Sequence, residues 1–318
     1  MIPRRALLAA PLLLAARPAL AAWPDRPVRI VIPFGAGGPI DGVGRLLADL
    51  LRERLGQPFI IENRAGAGGS LGLRNVVQSP PDGYSFVLTS SSLASIAALY
   101  PSQGLDPRQV TTPVSLVADV PTALVVKHDS PITDVASLLA TAKARPGILT
   151  YGSGGAGSSN HLSGALFAST AGVELTHVSY RGAAPAMTAL YAGEISMVFA
   201  STVETLPHVS AGRARILGVA TPQRVPSLPE VPAIAEVVPG YAALNWYAVA
   251  GPRGLDPAIV ARMAEMLGSL RELPEVKARF AAAGTVPLLT GPAELAARLE
   301  QDVPLWQRVV AQAGIRVE

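Results

Sequence analysis

The residues of this sequence that could do chemistry lie in glycine- and serine-rich turns rather than in clusters of charged side chains. Four such turns follow apolar runs of strand type, at residues 34–41, 90–92, 153–161 and 180–183. Each turn leads into a helical pattern and therefore presents unpaired backbone N–H groups at a helix N-terminus. One such end favours an anion by about 0.3–1 kcal/mol, and a hydrogen bond to a charged group adds roughly 1.5–3 kcal/mol. Two or three of these turns around one cavity would hold a carboxylate without a lysine.

A structural interpretation of the same turns has equal weight for any one of them, because glycine also permits tight turns and close packing of a helix on a sheet. The likeness of the turns in both halves of the chain favours binding. Asp41 fits a position at the start of a helix, where capping is favoured over ligand contact. His161 either donates to a ligand or caps its own helix, and Arg181 either pairs with a carboxylate or is solvated. Trp246 and Tyr247 either line a cleft or pack a strand.

Other site chemistries have weaker support. Residues 152–157 match G-x-G-x-x-G after a strand, but the next strand ends in Ser179 and Tyr180, where a dinucleotide site requires an acid. The sequence has no phosphate-binding loop with lysine and no G-x-S-x-G nucleophile elbow. The four histidines show no metal-ligand spacing, and cysteine is absent. We therefore predict no metal, no cofactor and no enzymatic activity.

The first residues have the composition of a secretory signal peptide. A basic start precedes an apolar stretch at residues 6–16, which is too short to span a bilayer, and an Ala-Leu-Ala cleavage pattern ends at Ala21. We expect residues 1–21 to be removed on export to the periplasm. The alternative, a short membrane anchor, is disfavoured because Pro11 breaks the apolar run and Arg17 ends it.

The charge balance argues against a nucleic acid as partner. The whole chain has 26 basic and 23 acidic residues, but the leader holds three arginines and no acid, so 23 of each remain. The formal net charge of +3 therefore belongs to the leader. The absence of cysteine excludes a structural disulfide and a lipid-modified cysteine, so the exported chain depends on its hydrophobic core.

Strand-like runs alternate with amphipathic helical patterns, which predicts an α/β fold with parallel-type sheets flanked by helices. The first strand is predicted at residues 28–32, and its nearly continuous apolar character is typical of a parallel strand buried on both faces. The chain after residue 256 is almost purely helical in pattern and requires a sheet on which to pack. A return of the chain to its first sheet satisfies this requirement.

The sequence thus predicts two lobes joined by two crossings, near residues 120–126 and 241–246. We predict that lobe 1 comprises residues 22–122 and 243–318, and that lobe 2 comprises residues 123–242. Ligands of open parallel sheets collect beyond the carboxyl ends of the strands, which is where all four turns fall.

The sequence resembles the Bug family of extracytoplasmic solute receptors in motifs spread over nearly the whole chain after the leader. The motifs are VIPFGAGGPIDGVGRLLADLLRERLGQPFIIENRAGAGGSLG, PDGYSFVLTSSS, YGSGGAGSSNHLSGALF, HVSYRGAAPAMTALYAGEISMVF and LPHVSAGRARILGVAT. The resemblance implies a two-lobed periplasmic binding protein of the type II kind that closes on its ligand. The family's ligands are typically small carboxylates, among them amino acids, dicarboxylates, tricarboxylates and aromatic acids.

The family binds one ligand carboxylate largely through main-chain groups and ordered waters in its strand-to-helix loops. On this chain the resemblance implies ligand contacts from both lobes: Phe34, Ala36, Gly37, Gly38, Asp41, Ser90, Ser91, Ser158, Ser159, Asn160, His161, Tyr180, Arg181, Gly182 and Ala183.

One position departs from the family pattern. Many relatives carry an aspartate facing the cleft where this chain has Ala200, followed by Ser201, which we include among the expected ligand contacts. Loss of that acid disfavours an amine-bearing ligand, so we expect a carboxylate without an amino group.

The resemblance implies a receptor that captures a small carboxylate in the interlobe cleft and delivers it to the membrane subunits of a tripartite tricarboxylate-type transporter. Two alternatives stay open. The closed receptor could signal to a membrane sensor kinase, or, less favoured, the chain could be an exported enzyme acting on a carboxylate. We expect a monomer.

Overall fold

The computed structural model describes residues 23–226 and 228–317. The predicted signal peptide, residues 1–21, lies outside the described residues. No helix in the described part of the chain is long and apolar enough to cross a membrane.

Eleven strands and eleven α-helices are assigned within the described residues. The strands are β1 (Val28–Ile32), β2 (Phe59–Asn63), β3 (Ser85–Ser90), β4 (Thr111–Val120), β5 (Thr122–Lys127), β6 (Thr150–Ser153), β7 (Thr176–Ser179), β8 (Met197–Ser201), β9 (Ala214–Val219), β10 (Asn245–Pro252) and β11 (Val286–Pro287). The helices are α1 (Pro39–Leu55), α2 (Ser70–Val77), α3 (Ser92–Leu99), α4 (Pro107–Val110), α5 (Val135–Ala144), α6 (Ser159–Ala171), α7 (Ala183–Ala192), α8 (Thr202–Ser210), α9 (Pro257–Leu270), α10 (Pro274–Ala282) and α11 (Pro292–Gln312).

The strands form two sheets, one in each lobe. The first lobe has six strands in the order β11-β4-β10-β3-β1-β2, and the second lobe has five in the order β7-β6-β8-β5-β9. Only Pro121 separates β4 from β5, so the chain passes from one sheet to the other within a single residue. The return is made before β10, which begins at Asn245. The two-lobed α/β fold is confirmed, and the lobe boundaries given above stay a prediction.

The expectation of parallel pairing is right for part of each sheet and wrong at the strands that adjoin the crossings. β1 pairs in parallel with β2 and β3, and β6 pairs in parallel with β7 and β8. In contrast, β10 is antiparallel to β3 and β4, and β5 is antiparallel to β8 and β9. A parallel neighbour requires a crossover within its own sheet. The chain reaches β5 and β10 from the other lobe instead, so these strands enter in the opposite direction.

Two strands were absent from the sequence-based prediction, as were the helices α4 and α8. β4 has a proline at position 113 and an aspartate at position 119, which obscure its strand pattern, although it pairs with β10 over nearly its whole length. β11 is a two-residue strand that adds to β4 within a region expected to be helical. The long helix α11 packs against α3 and β4 of the first lobe and against α6 of the second.

The turn after β1 is held in place by close packing of α2. A Cβ atom added at Gly72 of α2 would lie 2.6 Å from the Pro33 Cβ, 2.9 Å from the Pro33 Cα and 3.1 Å from the Arg64 carbonyl oxygen. Two of these three atoms belong to the backbone, so they cannot rotate away. The absence of a side chain at Gly72 therefore fixes the position of the segment that leaves β1.

We predict opposite effects for two glycine-to-alanine substitutions in the first lobe. Gly72→Ala should lower the free energy of unfolding by about 1–3 kcal/mol, because it overpacks a rigid contact. Gly42→Ala is the control, since Gly42 is exposed in α1 with nothing within 4 Å of an added Cβ, and it should stabilise by about 0.5–1 kcal/mol. Urea unfolding measures both values. Equal effects of the two substitutions would contradict the packing described here.

Candidate functional site

Two adjoining cavities lie between the lobes, beyond the carboxyl ends of strands from both sheets. The larger cavity has a volume of about 310 Å³ and the smaller one about 160 Å³. Ser159, Ser163 and Asn245 line both of them, so the two cavities meet at these residues. The first lobe supplies one wall of the cleft and the second lobe supplies the opposite wall.

Five helices begin at these cavities. Ser91 and Ser158, the N-cap residues of α3 and α6, line the larger cavity. Pro39 and Ala183, the first residues of α1 and α7, line the smaller cavity together with Ser201, the N-cap of α8. Each helix start carries a partial positive charge of about half an elementary charge and N–H groups without helical partners. The cleft is therefore electropositive through its backbone.

Some of these N–H groups are available to a ligand. Within the described residues, the N–H groups of Ser159 and Asn160 at the start of α6 have no hydrogen-bond acceptor, and the same holds for Ile40 in α1. The next amide of α6, that of His161, donates to the Ser158 hydroxyl at 3.4 Å. The free amides thus lie in the first turns of α1 and α6, and two of them belong to Ser159 and Asn160, which line the cavities.

The structure places eight of the sixteen predicted contact residues at the cavities. They are Phe34, Ser90, Ser91, Ser158, Ser159, Asn160, Ala183 and Ser201. The other eight line neither cavity: Ala36, Gly37, Gly38, Asp41, His161, Tyr180, Arg181 and Gly182. Their roles as ligand contacts stay predictions.

Asp41 is at the centre of a hydrogen-bond network that holds the first turn. Its carboxylate accepts hydrogen bonds from the Gly37 amide at 3.0 Å, from Arg45 Nε at 2.9 Å and Nη2 at 3.1 Å, and from Asn63 Nδ2 at 3.0 Å. Asn63 also donates to the Phe34 carbonyl oxygen at 3.2 Å. Burial raises the pKa of the Asp41 carboxyl, but the hydrogen bonds from Arg45, Gly37 and Asn63 outweigh it and leave the pKa at about 2. The carboxylate is thus ionised, neutralised by Arg45 and fully engaged with the protein.

His161 has its side chain on the far side of the turn before α6. The Gly157 amide donates to His161 Nδ1 at 3.0 Å, and the ring stacks on His177 with centroids 3.6 Å apart. His177 Nε2 lies 2.7 Å from the hydroxyl of Ser153, which in turn accepts from the Gly155 amide at 3.1 Å. Both rings line a separate open depression rather than the cleft. This histidine pair supports the turn that carries Gly157 and Ser158 into the larger cavity.

The turn after β7 packs against the turn after β6. A Cβ added at Gly154 would lie 3.1 Å from the Ala183 amide nitrogen, so glycine permits the two backbones to approach. The Tyr180 amide donates to the Ser153 carbonyl oxygen at 3.0 Å. Arg181 is exposed and makes no ion pair within the described residues.

The structure also identifies cavity residues that the sequence did not reveal. Asn245, at the start of β10, accepts a hydrogen bond from the Ser91 hydroxyl at 2.6 Å, which leaves its amide NH₂ without a described acceptor. Of the two aromatic residues whose role the sequence left open, Tyr247 lines the smaller cavity, whereas Trp246 is fully buried and donates to Asp302 at 2.8 Å. An apolar wall in the larger cavity is formed by Leu99, Tyr100, Leu162, Leu244 and Trp306. No motif marks these residues, because they come together only through the return of the chain at β10 and through α11.

The cavity walls contain almost no charged side chains. Among the described residues that line the two cavities, none is a lysine, arginine or histidine, and Glu204 is the one carboxylate. Any compensation of a ligand's negative charge at these walls must therefore come from amide and hydroxyl groups.

We predict that Asp41→Ala lowers the free energy of unfolding by about 2–3 kcal/mol, because it leaves the Gly37 amide and Asn63 without their acceptor. Asp49→Ala on the same helix is the control. Asp49 is exposed and lies 3.9 Å from Arg52, so its loss should change stability by less than about 0.5 kcal/mol. Denaturant titration at pH 7 gives both values. A loss for Asp41→Ala no larger than that of the control would contradict the network.

We also predict a loss of stability in acid that depends on His161. Its burial, and to a smaller extent the neighbouring His177, lower the His161 pKa from 6.5 to about 4. The unfolded chain therefore takes up a proton below pH 6.5 that the folded chain does not take up until about pH 4. The neutral His161 therefore contributes on the order of 3 kcal/mol to the free energy of unfolding. This contribution is fully present above pH 6.5 and is lost as the pH falls towards 4.

Unfolding of the wild type and of His161→Gln at pH 7, 5.5 and 4.5 tests this dependence. The variant should lose less stability than the wild type over this range, and His128→Gln, at an exposed position, should lose as much as the wild type. Identical losses in all three proteins would contradict the role of the histidine pair.

Known proteins are similar to this chain in sequence and in fold. The sequence model of one family, described as the tripartite tricarboxylate transporter family receptor, matches residues 43–315. A protein from Pseudomonas sp. strain P51, encoded in the tcbD-tcbE intergenic region, is 36% identical over 295 residues that cover 92% of this chain and 88% of the relative.

Two solved structures share the fold over nearly their whole length. A protein from R. palustris, Rpa4515, whose structure was determined with adipate, is 35% identical with a TM-score of 0.79, over 92% of this chain and 99% of its own. The periplasmic binding protein BugD is 31% identical with a TM-score of 0.77, and the match covers 93% of this chain and 100% of BugD. This chain therefore belongs to the receptor family of the tripartite tricarboxylate transporters, as the resemblance to the Bug proteins implied.

Proposed function

We propose that this protein is a periplasmic receptor that binds one small carboxylate in the cleft between its lobes, without catalysing a reaction. The observation that carries the proposal is the convergence of five helix N-termini on two adjoining cavities whose described walls hold no cationic side chain. Such a site suits a small anion. The adipate in the related R. palustris structure supports a carboxylic acid as the anion.

We place the ligand carboxylate near the point where the cavities meet, at Ser159. The free amides of Ser159 and Asn160 would donate to it from the second lobe. The hydroxyl groups of Ser90 and Ser91 line the cavity on the side of the first lobe, where they donate to Ser92 and Asn245. Asn245 adds a donor at the same point, because its amide is oriented by Ser91. The remaining residues assigned from the family would act through the shape of the turns and through bound water.

Closure of the lobes on the ligand follows from the same arrangement. The donors come from both lobes, so a bound acid gains its full set of hydrogen bonds only when the lobes approach. The chain crosses at Pro121 and before β10, and these crossings are the sites at which it would bend. We propose that the closed form, after export and removal of residues 1–21, delivers the acid to the membrane subunits of a tripartite tricarboxylate-type transporter.

A thermal-shift screen of residues 22–318 against about one hundred organic acids tests the proposal. An acid at one hundred times its dissociation constant should stabilise the protein by about 2.7 kcal/mol. Mass spectrometry of the mixture should recover the acid unchanged. Stabilisation by no acid in the screen would reject the receptor function, and conversion of the acid would identify an enzyme.

We predict that filling the cleft abolishes this stabilisation. Ser159 lines both cavities, so the indole ring in Ser159→Trp should occupy the space of the ligand. The apparent dissociation constant obtained from the thermal shift should rise at least tenfold. Thr170→Trp is the control, because Thr170 is exposed near the other end of α6 and lines neither cavity. It should bind as the wild type does. Loss of binding in both variants, or in neither, would contradict the location of the site.

A further inference from the structure

The smaller cavity contains one carboxylate side chain, that of Glu204, to which the proposed function assigns no role. Glu204 lies in the first turn of α8 and contributes to the wall of this cavity together with Asn245 and Tyr247. Its amide donates to the Ser201 hydroxyl at 3.3 Å, which caps the helix and fixes the position of the residue. In the part of the chain that the structure describes, no side chain donates a hydrogen bond to the Glu204 carboxylate or forms an ion pair with it. The carboxylate is therefore available to whatever occupies the cavity.

The two cavities differ in the groups they offer to the two ends of a ligand. The larger cavity has the serines at the starts of α3 and α6, and it has no acid. The smaller cavity has hydroxyl and amide groups from Thr122, Asn160, Ser201 and Tyr247, together with the negative charge of Glu204. A carboxylate is thus favoured on the side of the serines, and it is opposed in the smaller cavity by the charge of Glu204.

The negative charge of Glu204 acts on Tyr247, another residue in the wall of the smaller cavity. The pKa of the Tyr247 hydroxyl is raised, mainly by its burial and further by the charge of Glu204. No lysine, arginine or histidine among the described residues lines either cavity to offset this charge. A second carboxylate would face a like charge here that no cationic side chain offsets and that only the helix starts of α1, α7 and α8 oppose, whereas a hydroxyl, amide or ammonium group would find an acceptor.

From these contacts we propose that Glu204 determines the specificity of the cleft, by favouring acids whose second end is an uncharged or cationic hydrogen-bond donor over dicarboxylates. This inference rests on the proposed receptor function and assigns the charge of its ligand. It sets this chain apart from the relative that holds adipate, an acid with a carboxylate at each end. An ammonium group is included because the Glu204 carboxylate is negatively charged and has no partner among the described residues.

A matched series of acids tests the charge at the second end and leaves the rest of the ligand constant. The six-carbon series is adipate, 6-hydroxyhexanoate and 6-aminohexanoate, and a different chain length is used if the acid that stabilises best in the screen has one. Isothermal titration calorimetry gives the dissociation constants for the wild type, for Glu204→Gln and for Glu194→Gln. Glu194 is an exposed acid of the same lobe that lines neither cavity, so its variant removes the same charge elsewhere.

We expect the wild type to bind the hydroxy or amino acid more tightly than the dicarboxylate. In Glu204→Gln the ratio of the dissociation constant of the dicarboxylate to that of the hydroxy or amino acid should fall by about tenfold, which corresponds to about 1.4 kcal/mol. The effect should not be larger, because Glu204 is exposed and water screens part of the repulsion between its charge and the second carboxylate of the ligand. The Glu194→Gln variant should keep the wild-type preference within twofold.

The outcomes separate this inference from the function on which it rests. A wild type that binds the dicarboxylate most tightly, or a preference that Glu204→Gln leaves within twofold of the wild type, overturns the role of Glu204 while the receptor function stands. Tighter binding of the amino acid that is lost in Glu204→Gln supports the inference and rejects the expectation of a ligand without an amino group. Failure of every acid in the wider screen overturns both.

Discussion

A carboxylate in this cleft must be neutralised by the backbone, and most features of the structure follow from that constraint. The described cavity walls offer no lysine, arginine or histidine, whereas five helices begin there. An amide group cannot move towards an anion as a flexible lysine can, so its position has to be set before the ligand arrives. Each turn must therefore be rigid, and the groups that make it rigid must not compete with the ligand for the same amides.

The two lobes meet this requirement with polar groups placed behind the turns. In the first lobe the Asp41 carboxylate binds the Gly37 amide, and its charge is balanced by Arg45, so a buried acid near the cleft does not repel an anion. In the second lobe the neutral His161 ring accepts from the Gly157 amide. Both groups engage amides of the turns themselves, and the amides of Ser159 and Asn160 are left without partners. The hydroxyl groups of the serines then complete the walls at little cost in desolvation.

The sequence predicted the elements that local patterns determine and missed those that depend on the return of the chain. The strand at Val28–Ile32 and the helix at Pro257–Leu270 agree with the prediction because an apolar run and an amphipathic stripe are local signals. β4 was missed because Pro113 and Asp119 interrupt its pattern, and the antiparallel direction of β10 depends on the crossing between lobes. Asn245 and Glu204 carry no motif and join the site only through tertiary structure. The location of His161 on a helix start was predicted, but the direction of its side chain was not, since the first turn of a helix exposes several faces.

The most direct test of the central claim is a crystal structure of the protein with its tightest-binding acid, in which the distances from the ligand's carboxylate oxygens to protein nitrogens are measured. The account predicts that main-chain nitrogens at the starts of helices from both lobes lie about 2.7–3.1 Å from these oxygens, directly or through one ordered water. It also predicts that no lysine or arginine nitrogen lies within ion-pair distance of them. A carboxylate held instead by the guanidinium of Arg181, or bound outside the two cavities, would contradict it.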